Sequence, residues 1–237
     1  MTDKLRVLAV GAHPDDVEIL CAGTLAKYAA AGHYVAIACV ANGNVGHMEI
    51  KPPELAKIRG KEAKASAAVI GAEFFWLDVP DLMVGHDPDL HLKMVDVLRA
   101  AKPNVIITHS PDDYMLDHRA TGRLIFDSSF SASVPNWKTN LPFYPVVPSV
   151  FYMDTLAGIN FLPSEYVDIT DVMETKAKML SCHESQVSWL RDHDNIDIMD
   201  FMETMAKFRG LQCGVKYAEA YRRLEVWSRL GTKRLLP

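Results

Sequence analysis

The chain has 237 residues, 49% of them hydrophobic, and a formal net charge of −5 at pH 7. This composition is enough for a sizeable core in one α/β unit, and the negative charge argues against a nucleic-acid-binding protein that relies on a basic surface. The longest uncharged apolar stretch, residues 34–41, is far below the ~20 residues needed to span a bilayer. Since the N-terminus has no secretion-signal pattern, we predict a cytoplasmic protein.

Apolar runs and amphipathic segments alternate along the first two-thirds of the chain. The apolar runs are continuous, which is typical of parallel strands covered on both faces. The predicted strands are residues 5–10, 34–40, 73–77, 105–108 and 149–153. The predicted helices are residues 16–31, 52–70 and 89–101, one that begins near Asp117, one that begins at Thr170-Asp171, and a final helical region over residues 200–227.

Local signals mark the ends of several predicted helices. Gly32 and Gly71 follow the first two helices, and the second begins at Pro52-Pro53, which is the usual placement of glycine and proline. Glu174 lies three residues after Asp171, as in a capping box. The alternation predicts a single domain over residues 1–237, with a doubly wound, Rossmann-like, mostly parallel sheet and helices on both faces.

The four cysteines are scattered and form no C-x-x-C motif. Cys21 lies in a helix pattern and Cys39 in a strand pattern, so both are predicted to be core thiols. A disulfide-free protein of a reducing compartment is the simplest interpretation.

Two polar clusters follow predicted strands. His13-Pro14-Asp15-Asp16 comes directly after the first strand, and residues 109–119 follow the fourth. In a sheet of order 3-2-1-4-5 these two strands are neighbours at the switch point, where ligands bind. We therefore expect both clusters to meet in one crevice.

The residue types in these clusters favour a metal site. His13 and Asp16 can approach one ion together, and His118 is the best candidate for a third ligand. Two histidines and a carboxylate with an open position are typical of catalytic zinc, which lowers the pKa of its water to ~7. Asp15 would then be free to act as general base. Each cluster alone could instead be a helix N-cap or a structural histidine, and no G-x-G-x-x-G follows the first strand to suggest a dinucleotide site.

Residues 12–18 (Ala-His-Pro-Asp-Asp-Val-Glu) and 113–118 (Asp-Tyr-Met-Leu-Asp-His) together resemble the PIG-L/LmbE-type zinc-dependent N-deacetylases. Weaker matches are Asn42-Gly43-Asn44, the Arg-x-x-Glu of Arg59 and Glu62, the His-x-Ser-Gln of residues 183–186, and residues 217–221. The resemblance covers most of the chain.

The resemblance implies a role for each matched position. His13, Asp16 and His118 would hold zinc, with Fe²⁺ or another divalent ion as the alternative metal. Asp15 would be the general base and Asp117 an orienting residue. The implied substrate-binding residues are Asn42, Arg59, His183 and Gln186.

Two positions depart from the family pattern. Many members have a histidine where this chain has Met115, which cannot exchange a proton; Tyr114, His109 and His183 are candidates for that role. We group Tyr114 with Asp15 and Asp117 as predicted catalytic residues. Asn44 replaces a residue that is often acidic, which could alter the recognition of substrate hydroxyls.

Two further residues have competing interpretations. Glu62 lies in the apolar stripe of the second helix, so an Arg59–Glu62 pair is either a surface pair of little energetic consequence or a partly buried pair that holds Arg59 toward the site. His183, placed on the helix that begins at Asp171, is either a structural histidine or part of the site wall.

The resulting hypothesis is an intracellular zinc amidohydrolase that removes an N-acyl group, acetyl in the family, from a small amino sugar or glycoconjugate. The alternatives are a sugar- or nucleotide-binding module without catalysis, and an amidase for a thiol conjugate or an antibiotic precursor. Family members often assemble, which implies a homo-oligomer. The composition of the proline-rich segment 131–148 predicts an ordered loop or lid. Its aromatic residues Trp137, Phe143 and Tyr144 could stack on a sugar or form the contact between subunits.

Overall fold

The computed structural model describes residues 4–231 and 234–237. Within them, seven strands form one sheet in the order β3-β2-β1-β4-β5-β7-β6. The strands are β1 (Arg6–Gly11), β2 (Tyr34–Ala41), β3 (Glu73–Val79), β4 (Val105–Thr108), β5 (Ser149–Met153), β6 (Glu165–Asp168) and β7 (Ala218–Arg223). Strands β1 to β5 are parallel, and β7 runs antiparallel to both β5 and β6. The predicted order 3-2-1-4-5 is confirmed.

Helices cover both faces of this sheet, as predicted. They are α1 (Asp16–Leu20), α2 (Ala22–Ala30), α3 (Pro52–Val69), α4 (Leu90–Ala101), α5 (Leu116–Ser131), α6 (Met173–Ser181), α7 (Glu184–Asp194) and α8 (Ile198–Cys213). Successive side chains of β1 point to opposite faces. Val7 and Ala9 therefore join the core with α1, α2, α6 and α8, whereas Leu8 and Val10 join the core with α4 and α5.

The C-terminal third differs from the prediction. Helix α8 ends at Cys213 because Gly214 takes a left-handed conformation with φ 80°, a common helix terminator. The predicted helical region 200–227 is therefore wrong after Cys213, and residues 218–223 form β7. Strand β6 was also not predicted. The segment of β7, Ala-Glu-Ala-Tyr-Arg-Arg, carries no strand pattern, and its pairing with β5 decides its structure.

Two predicted helices also begin or break differently. The first is interrupted at Cys21, which separates α1 from α2. The segment at Thr170-Asp171 is a 3-10 turn that precedes α6. Asp171 makes no cap there and instead pairs with Lys27 at 2.9 Å.

The proline-rich segment after α5 is ordered, as predicted. Arg99 of α4 is buried and donates hydrogen bonds to the backbone carbonyls of Ala132, Trp137 and Leu141. The guanidinium of Arg99 thus fixes the backbone at three residues of the proline-rich segment, which has no regular secondary structure there.

No helix in the described ranges is long and apolar enough to cross a membrane. Cys21 and Cys39 are buried free thiols, as predicted, and Cys182 and Cys213 are free as well.

Candidate metal centre and active site

The two polar clusters emerge at the same edge of the sheet. In the parallel register, Val10 of β1 lies opposite Thr108 of β4, so both strands end at the same level. The segment after β1 turns at once into α1, and the His13 backbone N–H donates to Asp16 Oδ2 at 2.7 Å. His118 lies in the first turn of α5. The strand order therefore brings residues about a hundred positions apart into one crevice.

His13, Asp16 and His118 form a group of potential metal ligands, with one donor atom from each residue within 4.8 Å of the others. His118 Nε2 lies 3.3 Å from Asp16 Oδ1, and His13 Nδ1 lies 3.5 Å from Asp16 Oδ2. His118 Nε2 is fully buried and has no hydrogen-bond partner in the described part of the chain. Because buried polar atoms are nearly always satisfied, this nitrogen fits a metal ligand.

A carboxylate holds the other ring nitrogen of each histidine. Asp117 Oδ2 lies 3.2 Å from His13 Nε2, and Asp113 Oδ2 lies 3.1 Å from His118 Nδ1. Such carboxylate–histidine pairs fix the tautomer of a metal-binding imidazole. Asp117 thus lies beside His13, at the position that an orienting residue would take. Asp113 was not among the predicted site residues, although its place in the second polar cluster was a usable signal.

The protonation of these residues indicates a site with excess negative charge. Burial lowers the pKa of His118, but the carboxylates of Asp16 and Asp113 outweigh it and raise that pKa to about 9. Burial likewise opposes the charge on His13, yet its hydrogen bonds to Asp117 and Asp16 raise the pKa to about 10. Both imidazoles therefore lie among carboxylates that favour positive charge, an environment that suits a cation.

Asp15 is poised beside these ligands in a strained conformation. Its φ is 107°, a left-handed value that non-glycine residues rarely adopt, and strain of this kind clusters at functional sites. Burial raises the pKa of its carboxyl to about 6, although the charge of Arg59 acts in the opposite direction. A carboxylate with a pKa near neutrality is suited to general-base catalysis.

Arg59 lies behind Asp15 and is buried. Its Nη2 atom donates to Asp15 Oδ2 at 3.0 Å and to the Pro14 carbonyl at 2.6 Å. Among the described residues, Arg59 forms its ion pair with Asp15 and not with Glu62. The predicted Arg59–Glu62 pair is therefore wrong, both as a surface pair and as a partly buried one. Glu62 instead accepts hydrogen bonds from the backbone N–H and the hydroxyl of Ser185, at 2.8 and 2.6 Å, and so caps α7.

The other predicted substrate-binding residues lie in three different environments. Asn42 is buried and donates to Asp78 Oδ1 at 3.0 Å. His183 lies between α6 and α7 rather than on the predicted helix, fully buried, with Nε2 3.3 Å from Glu18 Oε1. Gln186 lies next to the loop after β2, since a Cβ atom on Gly46 would be 3.4 Å from its Oε1.

The three candidates for the role missing at Met115 lie in different environments. His109 is buried and stacks on His118 with ring centroids 3.9 Å apart. Its Nε2 accepts the Ala12 N–H at 3.0 Å, and burial together with His118 lowers its pKa to about 4. His183 is enclosed behind the site. Tyr114 is 45% exposed.

Several relatives of known activity resemble this chain. The diacetylchitobiose deacetylase of Thermococcus kodakarensis is 28% identical over 233 residues, which cover 93% of this chain and 83% of that protein. The structure of N,N'-diacetylchitobiose deacetylase from Pyrococcus horikoshii matches with a TM-score of 0.81 and 29% identity over 94% of this chain and 84% of that one. A 4-oxalmesaconate hydratase of Pseudomonas putida is 25% identical over 194 residues, which cover 78% of this chain and 75% of the hydratase.

A family model described as GlcNAc-PI de-N-acetylase matches residues 8–128, which include both polar clusters and more than half of the chain. The chain therefore belongs to the PIG-L family.

Proposed function

We propose that residues 1–237 act as one metal-dependent N-deacetylase domain for an amino sugar or a small glycoconjugate. The observation that carries this proposal is the convergence of His13, Asp16 and His118 on one point beside Asp15, with His118 Nε2 buried and unpartnered among the described residues. The similarity to deacetylases over more than nine-tenths of the chain supports the choice of reaction.

Zinc is the metal that this donor set favours, with Fe²⁺ as the alternative. When bound, such an ion lowers the pKa of a coordinated water and polarises the amide carbonyl. Asp113 and Asp117 keep each imidazole in the tautomer that leaves its ligand nitrogen free.

Asp15 performs the proton transfers in this proposal. Its carboxylate accepts a proton from the attacking water and returns it to the nitrogen of the leaving amine. Arg59 holds the carboxylate in place through Oδ2. Asn42, His183 and Gln186 act from the surrounding walls, and Tyr114 at the mouth contacts the substrate.

The test combines metal analysis with amine release from a panel of N-acetyl sugars. The variant Asp15→Asn suits the left-handed backbone, because asparagine tolerates that conformation. We expect it to keep one equivalent of metal and to lose at least 100-fold in kcat. Asp192→Asn, an exposed position on α7, serves as the matched control with wild-type turnover. A wild-type protein that binds no divalent metal would refute the proposal.

A second candidate is the addition of water to a carbon–carbon double bond. It is favoured by the similarity to the hydratase and by Met115, which cannot supply the transition-state or acid–base support that the resemblance assigns to a histidine at that position. Hydration of unsaturated tricarboxylic acids should be assayed alongside amine release. Metal-dependent hydration without release of amine from any N-acyl sugar would favour this candidate.

The cytoplasmic location, the lack of nucleic-acid partners and the homo-oligomer stay predictions. Phe126, Phe130, Trp137, Phe143 and Trp227 are exposed aromatic residues, and such surfaces often mark contacts between proteins. Sedimentation velocity of the purified chain measures the oligomeric state directly.

A further inference from the structure

An arginine of β7 reaches the loop that follows β4. In the strand register, Thr108 at the end of β4 lies opposite Tyr152 of β5, and Tyr152 lies opposite Arg222 of β7. Paired residues in neighbouring strands project from the same face of a sheet. The row therefore brings the Arg222 side chain to the carboxyl end of β4, although 112 positions separate it from Ser110 in the loop.

Arg222 holds the start of this loop through two hydrogen bonds. Its Nη2 atom donates to the hydroxyl oxygen of Ser110 and to Asp112 Oδ2, each at 2.9 Å. Ser110 is buried, whereas the side chain of Asp112 is 72% exposed, so solvent screens mainly the second contact. The guanidinium also lies 5.8 and 5.7 Å from the ring centroids of Tyr152 and Phe161. These contacts fix the guanidinium against the loop.

Ser110 passes this restraint on to Asp113. The Asp112 N–H donates to Ser110 Oγ at 3.2 Å, and the Asp113 N–H donates to the Ser110 carbonyl at 3.1 Å. Asp113 is buried and uses both carboxylate oxygens. Its Oδ1 accepts the Met115 N–H at 2.8 Å, and its Oδ2 lies 3.1 Å from His118 Nδ1. The turn that begins at Ser110 therefore decides where the carboxylate beside His118 lies.

A second arginine holds the other end of the loop. Arg119 of α5 donates through Nη1 to the carbonyl oxygens of Asp113 and Tyr114, at 3.2 and 2.7 Å. Arg119 directly follows His118 on α5, so it fixes the loop relative to that helix. Arg222 belongs to the sheet instead, and its bonds fix the loop relative to the strands.

We propose that Arg222 is a positioning residue for the metal centre, which acts through Ser110 and Asp113 on His118. The contacts described for Arg222 do not include a ligand atom of the centre, so its effect has to pass through the loop. The inference rests on the proposed metal-dependent function, and it gives the antiparallel strand β7 a role in that site. Without Arg222 the Asp113 carboxylate is held less firmly, and His118 loses part of the restraint on its ring orientation.

Zinc affinity, measured on the whole chain by competition with a chelating dye, tests this role without relying on turnover. Arg222→Met keeps most of the aliphatic stem and removes both hydrogen bonds. We expect its zinc affinity to fall about three- to tenfold, less than the 10- to 100-fold effect of changing a carboxylate that contacts a ligand directly. Arg223→Met is the matched control and should keep the wild-type affinity. Arg223 projects from the opposite face of β7, and its described hydrogen bond goes to the Gly231 carbonyl.

A double-mutant cycle with Asp113→Asn tests the route of the effect. If Arg222 acts through Asp113, Arg222→Met should lower the zinc affinity of the Asp113→Asn protein by less than about twofold. Full additivity of the two losses would overturn the proposal, because Arg222 would then act by another path. The visible absorption bands of bound Co²⁺ report the coordination geometry. We expect Arg222→Met to change these bands and Arg223→Met to leave them unchanged.

The outcomes separate this inference from the deacetylase proposal. Ser110→Ala removes the same hydrogen bond from the loop side and takes the place of Arg222→Met if that variant does not fold. Lower stability in urea with wild-type zinc affinity would overturn the positioning role and leave the deacetylase function standing. Zinc binding without release of amine would refute the deacetylase, and the zinc affinities would still decide the role of Arg222. A wild-type chain that binds no divalent metal would refute both.

Discussion

The buried His118 Nε2 lies 3.3 Å from Asp16 Oδ1, although the two residues are separated by about a hundred positions in the chain. The other nitrogen of His118 faces Asp113 at 3.1 Å. Asp113 therefore holds the His118 imidazole from one side. On the other side, His118 Nε2, unpartnered among the described residues, and the Asp16 Oδ1 atom face the same point.

Removing His118 should abolish metal binding. We expect His118→Ala to lose stoichiometric zinc in mass-spectrometric metal analysis and to lose activity by at least 1,000-fold, because only His13 and Asp16 would remain of the proposed ligands. His86→Ala, at an exposed position in the loop after β3, controls for the loss of an imidazole. Retention of one equivalent of zinc by His118→Ala would place the metal elsewhere.

Asp113 and Asp117, the carboxylates that hold the two histidines, should affect zinc affinity and activity without binding the metal themselves. Asp117→Asn and Asp113→Asn keep an oxygen acceptor but lose the charge that fixes each imidazole. We expect a 10- to 100-fold loss in zinc affinity or activity for each, the usual effect of such partners, measured by competition with a chelating dye. Complete loss of metal on either change would identify that carboxylate as a direct ligand.

Removal of the metal should lower thermal stability. Zinc present at about 1,000 times its dissociation constant stabilises the folded state by about 4 kcal/mol. For a chain of this size that corresponds to a decrease in Tm of roughly 8–16 °C on chelation. Calorimetry before and after dialysis against a chelator measures the decrease, and added zinc should reverse it. An unchanged Tm would argue against a resident ion.

A buried charge network should govern the stability of the C-terminal strands. Glu219 of β7 pairs with Lys176 of α6 and accepts the N–H groups of Gly23 and Thr24, at 2.9 and 2.7 Å, at the start of α2. Glu219→Ala leaves Lys176 as an unpaired buried charge, so we expect a loss of about 3–5 kcal/mol in urea denaturation.

The exposed pair of Lys27 and Asp171 provides the comparison for that prediction. Asp171→Ala should change the free energy of unfolding by less than about 1 kcal/mol, because solvent screens surface pairs. Equal losses for Asp171→Ala and Glu219→Ala would mean that burial of the Glu219 pair has no energetic consequence.

The sequence was sufficient for the parallel part of the fold and for the location of the candidate site. Continuous apolar runs identified β1 to β5, their alternation with helices indicated a doubly wound sheet, and the order assumed for such a sheet matches the one observed. The antiparallel strands β6 and β7 were not predicted, since Ala218–Arg223 becomes a strand only by pairing with β5 and β6. Local propensity carries little information about such pairing.

The sequence by itself determined the chemistry available at the ends of β1 and β4, because His13, Asp15, Asp16 and His118 are local features of two strand–helix junctions. Only the tertiary structure decided which partner each polar group takes. Arg59 pairs with Asp15 rather than Glu62, and the Leu82 N–H holds Asp117. These bonds depend on where separate loops come together in space, and the period of a helix or strand does not encode that position.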